Sequence, residues 1–160
     1  MSRLEIRVAT RRDRVALTAL LCGLSAESAY QRFQSAIGGH PSRAVVDGLL
    51  PEPPRGVALV GLVDGVLVAH GMWARAGDVA ELGILVADGC QRQGFGSEIA
   101  TALLADLAAR GIERVEVYTG SGNRAVPRMV ARQAPGAART VDGPSVSWTF
   151  PVEARRVVAA

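Results

Sequence analysis

The chain has 160 residues, 49% of them apolar and 21% charged, which suits one globular domain with a core of its own. Its net charge of +3 comes from scattered arginines rather than a stripe and argues against nucleic acid, and no segment approaches the run of about 18 apolar residues that suggests a membrane span. Cys22 and Cys90 lie far apart and fit no metal-ligand spacing, so they read as free thiols of a reducing compartment; without a signal-peptide apolar region at the N-terminus, the chain is expected to be cytoplasmic, working as a monomer or homodimer.

In chain order, Leu4 to Ala9 alternates apolar and polar residues and predicts a first strand. Thr10 and Asp13 form a capping-box pattern. They open a helix to about Leu24, with Val15, Leu17, Leu20 and Leu21 on its apolar side. Ser25 starts a second short helix through Ala36, ended by Gly38 and Gly39, and Ser42 caps a third piece from Ala44 to Leu50. Pro51 to Pro54 is a stiff connector. Gly56 to Val63 and Val66 to Ala74 read as a hairpin around Asp64-Gly65. A second turn at Ala76 to Asp78 leads into an apolar strand from Val79 to Ala87, broken only by Glu81 and Gly83.

A polar, Gly-rich turn follows from Asp88 to Gly96, and Ile99, Ala100, Leu103, Leu104 and Leu107 then recur at helical spacing, with Gly111 placed to stop the helix. Arg114 to Thr119 predicts a strand, Ser121 to Asn123 a loop, and Arg124 to Gln133 a helix with Pro127 near its start. Ala137 to Val141 and Val146 to Val152 make a last hairpin around Asp142-Gly143. The reading is a single α+β domain over 1–152 with a tail over 153–160.

Strand, glycine turn and helix N-terminus in that order form an anion site, because the first N–H groups of a helix lack intrahelical partners and its dipole favours negative charge there. A phosphate-bearing cofactor is therefore expected at Gln91 to Ser97. Three glycine loops compete. The P-loop needs a Lys, and the chain contains none. The dinucleotide pattern G-x-G-x-x-G matches at Gly94 and Gly96 but meets Ile99 where its third glycine belongs. The pattern Q/R-x-x-G-x-G/A is filled at every fixed position by Gln91, Gly94 and Gly96. The plain alternative is a glycine turn joining a strand to a helix.

This last pattern resembles the acetyl-CoA pyrophosphate loop of the GNAT N-acetyltransferase superfamily, and the element order is similar over nearly the whole chain. The segments LSAESAYQRFQSA (Leu24 to Ala36) and AELGILVADGCQRQGFG (Ala80 to Gly96) look most like the catalytic domain of bacterial protein-lysine acetyltransferases. The resemblance implies a GNAT-like fold, a central mixed twisted sheet of about seven strands with about four helices, whose central strands splay to bind acetyl-CoA. It implies that Gln91, Arg92, Gln93, Gly94, Phe95, Gly96 and Ser97 hold the cofactor's phosphates. Ile84, Leu85 and Val86 would pair with its pantetheine arm, and Asn123 would contact the pantetheine or the amine. The acceptor would be an amine, either a protein lysine or a small-molecule amine. Two departures stand out: Gly89-Cys90 replaces an Asp–aromatic pair, and Val130 stands where many members carry a Tyr.

Acyl transfer to an amine needs a neutral nucleophile, a held thioester and donors for the developing oxyanion. An amine with pKa near ~10 is mostly protonated at neutral pH, so a base must take its proton. Glu81, a single carboxylate in an apolar strand two residues from Gly83, is the candidate. A carboxylate in a partly apolar cleft is tuned toward that task by desolvation, and the resemblance places the general base at this Ala-Glu pair. The plain reading is a Glu on the wet face of a half-buried strand. No general acid is apparent. His70 reads as a strand or core histidine and His40 as a loop residue. Phe33 reads as core, whereas Tyr30 and Arg32 could line an acceptor groove. Two other readings stay open: a non-catalytic acyl-CoA sensor or partner module of the same shape, motivated by Val130, and a dinucleotide-binding enzyme, which the element order disfavours.

Overall fold

The computed structural model describes residues 2–33 and 40–153. Strand β1 (Glu5–Val8) leads through a short 3-10 turn (Arg11–Asp13) into α1 (Arg14–Cys22). The capping box forms as expected: Asp13 Oδ2 accepts the Thr10 backbone N–H at 2.9 Å, and Thr10 Oγ1 accepts that of Arg12 at 3.3 Å. Asp13 is buried, and Arg7 of β1 donates to both its oxygens at 2.8 and 2.9 Å, a hydrogen-bonded pair that holds the Asp13 carboxyl below its usual range. Leu17, Leu20 and Leu21 are buried, but Val15 is 82% exposed. The helical repeat sets Val15 opposite those three leucines, so it belongs to the solvent side and not to the apolar face.

Helix α2 (Ala26–Phe33) follows Ser25, whose Oγ accepts the Ser28 N–H at 3.1 Å. Its expected extension to Ala36 and the stop at Gly38-Gly39 lie outside the described residues, as does the tail beyond Glu153. Helix α3 (Arg43–Gly48) is capped by Ser42, whose Oγ accepts the Val45 N–H at 3.2 Å. It closes two residues before the expected Leu50.

The rest is a sheet with two helices. Strands β2 (Gly56–Val63), β3 (Val66–Ala76) and β4 (Val79–Val86) form an antiparallel meander. Asp64 and Gly65 turn the first hairpin with φ of +48° and +79°, the left-handed pair that a two-residue loop requires. Helix α4 (Phe95–Ala109) crosses over to β5 (Arg114–Gly120), the strand parallel to β4, and α5 (Ala125–Gln133) precedes the hairpin β6 (Ala138–Asp142) and β7 (Ser145–Pro151). That hairpin turns on Gly143-Pro144, one residue later than expected, because Asp142 still pairs with Ser145. Among the described residues the seven-stranded mixed sheet has the order β1-β2-β3-β4-β5-β7-β6, and five α-helices accompany it, α3 being only six residues long.

Each face of the sheet buries its own cluster. On one, Ile99, Leu103 and Leu107 of α4 pack on Trp73, Ala80, Leu82, Val115 and Phe150. Trp73 donates its indole N–H to Asp106 of α4 at 2.8 Å. Gly71 is the close approach here: a side chain would strike Ile99 and Leu103. On the other face, Leu17, Leu20, Leu21, Val46 and Leu49 pack on Leu85. Burying each such side chain stabilises the fold by about 1.5–3 kcal/mol. The two-sided cover fixes β4 between α4 and the early helices, and β4 carries most of the predicted site.

Candidate functional site

The central feature is where β4 and β5 stop pairing. Their parallel ladder holds only Ala80 to Val115, Glu81 to Glu116 and Leu82 to Val117. Strand β4 continues to Val86 and β5 to Gly120, so the strands part beyond that point. On its other edge β4 stays bound to β3 through Val86, opposite Ala69. Ile84, Leu85 and Val86 therefore keep one side in the sheet while the side toward β5 has no strand partner. This is the expected splay. The Leu85 side chain is buried among the early helices, whereas Ile84 and Val86 pack toward α4.

Directly beyond lies the glycine loop. A short 3-10 turn (Asp88–Cys90) leads to Gln91, and α4 begins at Phe95. Gly94, the residue before the helix, has φ of +83°, and Arg92 has φ of +64°. A left-handed residue followed by a helical one turns successive N–H groups toward a common point, a shape that binds anions. Gly94, at the N-cap, has no side chain to cap α4, so the helix's first N–H groups face outward with the positive end of the helix dipole. A Cβ on Gly96 would meet Val86 and Ile84 at ordinary contact distances of 3.8 and 4.0 Å, so packing alone does not demand glycine there. What the missing side chain leaves open is the approach to the helix end. These groups fit a phosphate anion.

The residues of the loop divide by role. Phe95 is buried in the main core, so only its backbone faces the site. Gln91 spends its side chain internally, donating to the Val86 carbonyl at 3.1 Å and to Ser28 Oγ of α2 at 3.3 Å. Arg92 and Gln93 are exposed and Ser97 is half-buried at the helix start. Asp88 also reaches α2: the Ser25 N–H approaches its Oδ1 at 3.4 Å. Burial opposes the charge, yet hydrogen bonds from Ser25 and Ser28 hold the Asp88 carboxyl below its usual range.

Glu81 lies on the strand face it shares with Gly83 and Leu85, but it is exposed. The expectation of a carboxylate in a partly apolar cleft is corrected by this. Its apolar neighbours Ala80 and Leu82 point to the α4 core, and Arg32 and the early helices cover the Glu81 side from Gly83 onward. Beside it stand Glu116, which sequence reasoning passed over, and Tyr118, which it set aside as a general acid for want of a matching family position. Glu116 is its register partner on β5, and Tyr118 lies on the same face two residues on. The Glu116 carboxylate, hydrogen-bonded to the Tyr118 hydroxyl, pushes that phenol's pKa up, with the charge of Glu81 adding to it. The alternation of Glu116 and Tyr118 with Val115, Val117 and Thr119 was the available signal.

Arg32 of α2 lies against Gly83, where a Cβ would collide with its guanidinium. Its Cζ stands 4.9 Å from the centre of the Phe33 ring, and its Nε is buried without a hydrogen-bond partner. Burial lowers its pKa to about 10. Nearby, His70 of β3 is fully buried. Its ring Nε2 donates to the Leu49 carbonyl at 2.7 Å, which leaves Nδ1 bare and unpartnered. Burial pulls its pKa down to about 4, the Leu49 bond opposes this, and the Arg32 charge adds to the fall. His70 is a core histidine, as expected.

Asn123 caps α5, its Oδ1 accepting the N–H groups of Ala125 and Val126 at 2.9 and 3.0 Å. Any contact with a ligand would fall to its amide nitrogen. Val130 is buried in the core, so this position offers no proton donor.

Comparison with known proteins agrees with this geometry. The sequence profile described as "Acetyltransferase (GNAT) family" matches residues 24–133, more than half of the chain. Among solved structures, the GNAT domain of S. lividans PAT is similar at 22% identity with a TM-score of 0.83, covering 92% of this chain and 90% of that one. The RimL ribosomal L7/L12 alpha-N-protein acetyltransferase in complex with coenzyme A is similar at 18% identity and TM-score 0.74, covering 94% and 95%. The ribosomal-protein-S18-alanine N-acetyltransferase of Escherichia coli is similar at 19% identity and TM-score 0.69, covering 94% of each. No curated protein matches in sequence. The profile match, with the split sheet and uncapped helix it spans, establishes that this chain belongs to the acetyltransferase (GNAT) family.

Proposed function

We propose that this protein is an acetyl-CoA-dependent N-acetyltransferase acting on a primary amine by direct attack, with Glu81 as general base. The observation that carries the reading is the end of β4–β5 pairing at Leu82 and Val117, directly before an uncapped helix N-terminus. Acetyl-CoA supplies the thioester carbonyl that is attacked. The backbone N–H groups of the Gln91 to Ser97 loop hold its pyrophosphate, with the Arg92 side chain available to the same charge. The unpaired edge of Ile84, Leu85 and Val86 receives the pantetheine arm as an added strand, and a strand N–H polarises the carbonyl. Asn123 steadies the arm through its amide nitrogen. Glu81 takes the proton of the incoming amine, the acyl carbon–sulfur bond breaks as the amide forms, and coenzyme A leaves as its thiolate.

For the acceptor, the likeness of Leu24–Ala36 and Ala80–Gly96 to protein-lysine acetyltransferases favours a protein lysine, with a small-molecule amine second. Two of the similar structures are named for protein α-amines, so a peptide N-terminus belongs in the acceptor panel. Among the described residues no helix is long and apolar enough to cross a membrane, and both cysteines are free, in keeping with a protein of the reducing cytoplasm.

Thermal unfolding with acetyl-CoA, coenzyme A or NAD tests this. A ligand at about 100 times its Kd stabilises by about 2.7 kcal/mol, a rise of roughly 5–11 °C for a domain of this size. The coenzyme A species are expected to raise Tm and NAD is not. Gly94→Glu places a bulky anion at a left-handed residue facing the pyrophosphate and is expected to remove that rise. An unchanged shift in Gly94→Glu would overturn the loop assignment. A shift without thioester consumption across a broad amine panel would favour a non-catalytic acyl-CoA module.

A further inference from the structure

Arg32 poses a question that amine acetylation does not answer. Its guanidinium rests on Gly83, the residue of β4 just past the last rung shared with β5, on the sheet face opposite α4. Its Nε is shielded from solvent and makes no hydrogen bond, and among the described residues no carboxylate pairs with it. Burying a charge without a partner costs several kcal/mol. The Phe33 ring beneath it compensates only in part, because a cation–π contact is weaker than the desolvation it would have to offset. Nor is the charge removed, since a pKa of about 10 leaves the guanidinium cationic at neutral pH. A Lys would leave a point charge there, whereas Arg presents a planar fork that matches a carboxylate on two points. The absent side chain of Gly83 is what lets the fork lie against the strand that would receive the acyl group.

We propose that Arg32 is a carboxylate-recognition residue, and that a carboxylate borne by the acceptor amine or by the acyl chain docks on its guanidinium above Gly83. This rests on the acyl-transfer reading of the same site and narrows its substrate class. A neutral amine leaves the buried Nε unpaired, and a site built around an unmet polar group discriminates strongly against ligands that fail to meet it.

The test uses matched ligands differing only in the carboxylate: γ-aminobutyrate against γ-aminobutyramide as acceptors, and succinyl-CoA against butyryl-CoA as acyl donors. Kd is measured by calorimetry for each, the acceptors on both free and coenzyme A-loaded protein, alongside kcat/KM. The wild type is expected to favour the carboxylate member of at least one pair by roughly tenfold or more. Preference in the acceptor pair assigns the carboxylate to the amine, and preference in the donor pair assigns it to the acyl chain. Arg32→Met is expected to level the preferred pair while acetyl-CoA Kd stays unchanged, and Arg32→Lys to restore part of the preference. Equal Kd within both pairs in the wild type overturns the proposal, even if Arg32→Met fails to fold. A wild type that binds acetyl-CoA without any carboxylate preference loses this inference alone. If no acyl-CoA binds, the cofactor reading falls, and the acceptor pair on free protein still decides the role of Arg32.

Discussion

Replacing Glu81 with Gln is expected to lower kcat by roughly 10²–10⁴-fold, the usual worth of a positioned general base. The substitution keeps the size and hydrogen-bonding capacity of the side chain and removes only its ability to take a proton. Affinity for acetyl-CoA is expected to stay unchanged, because Glu81 lies at the paired end of β4 while the anion site lies beyond Val86. At about 3.3 Å per residue the strand sets Glu81 roughly 10 Å from Ile84, so a base at Glu81 would receive the proton through water rather than from the amine directly. Its exposure supports this, since solvent reaches the carboxylate. Steady-state kinetics over a range of pH, with calorimetric acetyl-CoA binding on the same preparations, decides the matter. Turnover equal to wild type would move the base elsewhere, with Glu116, the register partner on β5, next in line.

The second large effect concerns stability in acid. His70 is fully buried and its pKa is pulled from 6.5 to about 4. Between those values the unfolded chain binds a proton that the folded chain excludes, so unfolding releases less free energy cost as pH falls. The contribution of neutral His70 is fully present above pH 6.5 and lost as pH falls toward 4, reaching about 3 kcal/mol. Against a typical total of about 5–15 kcal/mol this is a large share. The groups that bear on His70 are Arg32 from α2 and the Leu49 carbonyl at the end of α3, and neither titrates in this window. The Asp13 carboxyl, held below its usual range by Arg7, adds its own loss only at lower pH. Urea titrations of wild type and His70→Gln between pH 7 and pH 4.5 are expected to show the wild type losing stability and the variant holding a flatter profile; parallel profiles would show that His70 does not carry the acid sensitivity.

The strand, loop and helix from Val79 to Ala109 were legible because each signal is local: a period of two, then glycines at fixed spacing, then a period near four. The β4–β5 split was legible only through family resemblance, since nothing in either strand's composition marks where a ladder ends. Exposure of Glu81 was misjudged because apolar neighbours along a strand face the opposite side from it. Val15 was misplaced for the corresponding reason on a helix. Arg32 on Gly83 and His70 on the Leu49 carbonyl join residues far apart in sequence, and no local pattern announces such contacts. Asn123 was readable as either a cap or a ligand contact, and its bonds to Ala125 and Val126 show the cap.

Helix α2 buries no residue completely, so its position depends on its ends. At the start, Ser25 and Ser28 are tied to Asp88 and Gln91 of the anion loop; at the finish, Arg32 lies on Gly83. One short helix thus works as a lever between the two halves of the site. Under the acyl-transfer reading, a ligand that draws the loop into place is expected also to set the guanidinium, and a ligand on the guanidinium to steady the loop. Coupling of that kind is reciprocal by thermodynamic necessity: each ligand would tighten the other by the same factor. Simultaneous occupancy would then be favoured, and the protein would respond to the product of two concentrations more sharply than two independent pockets would.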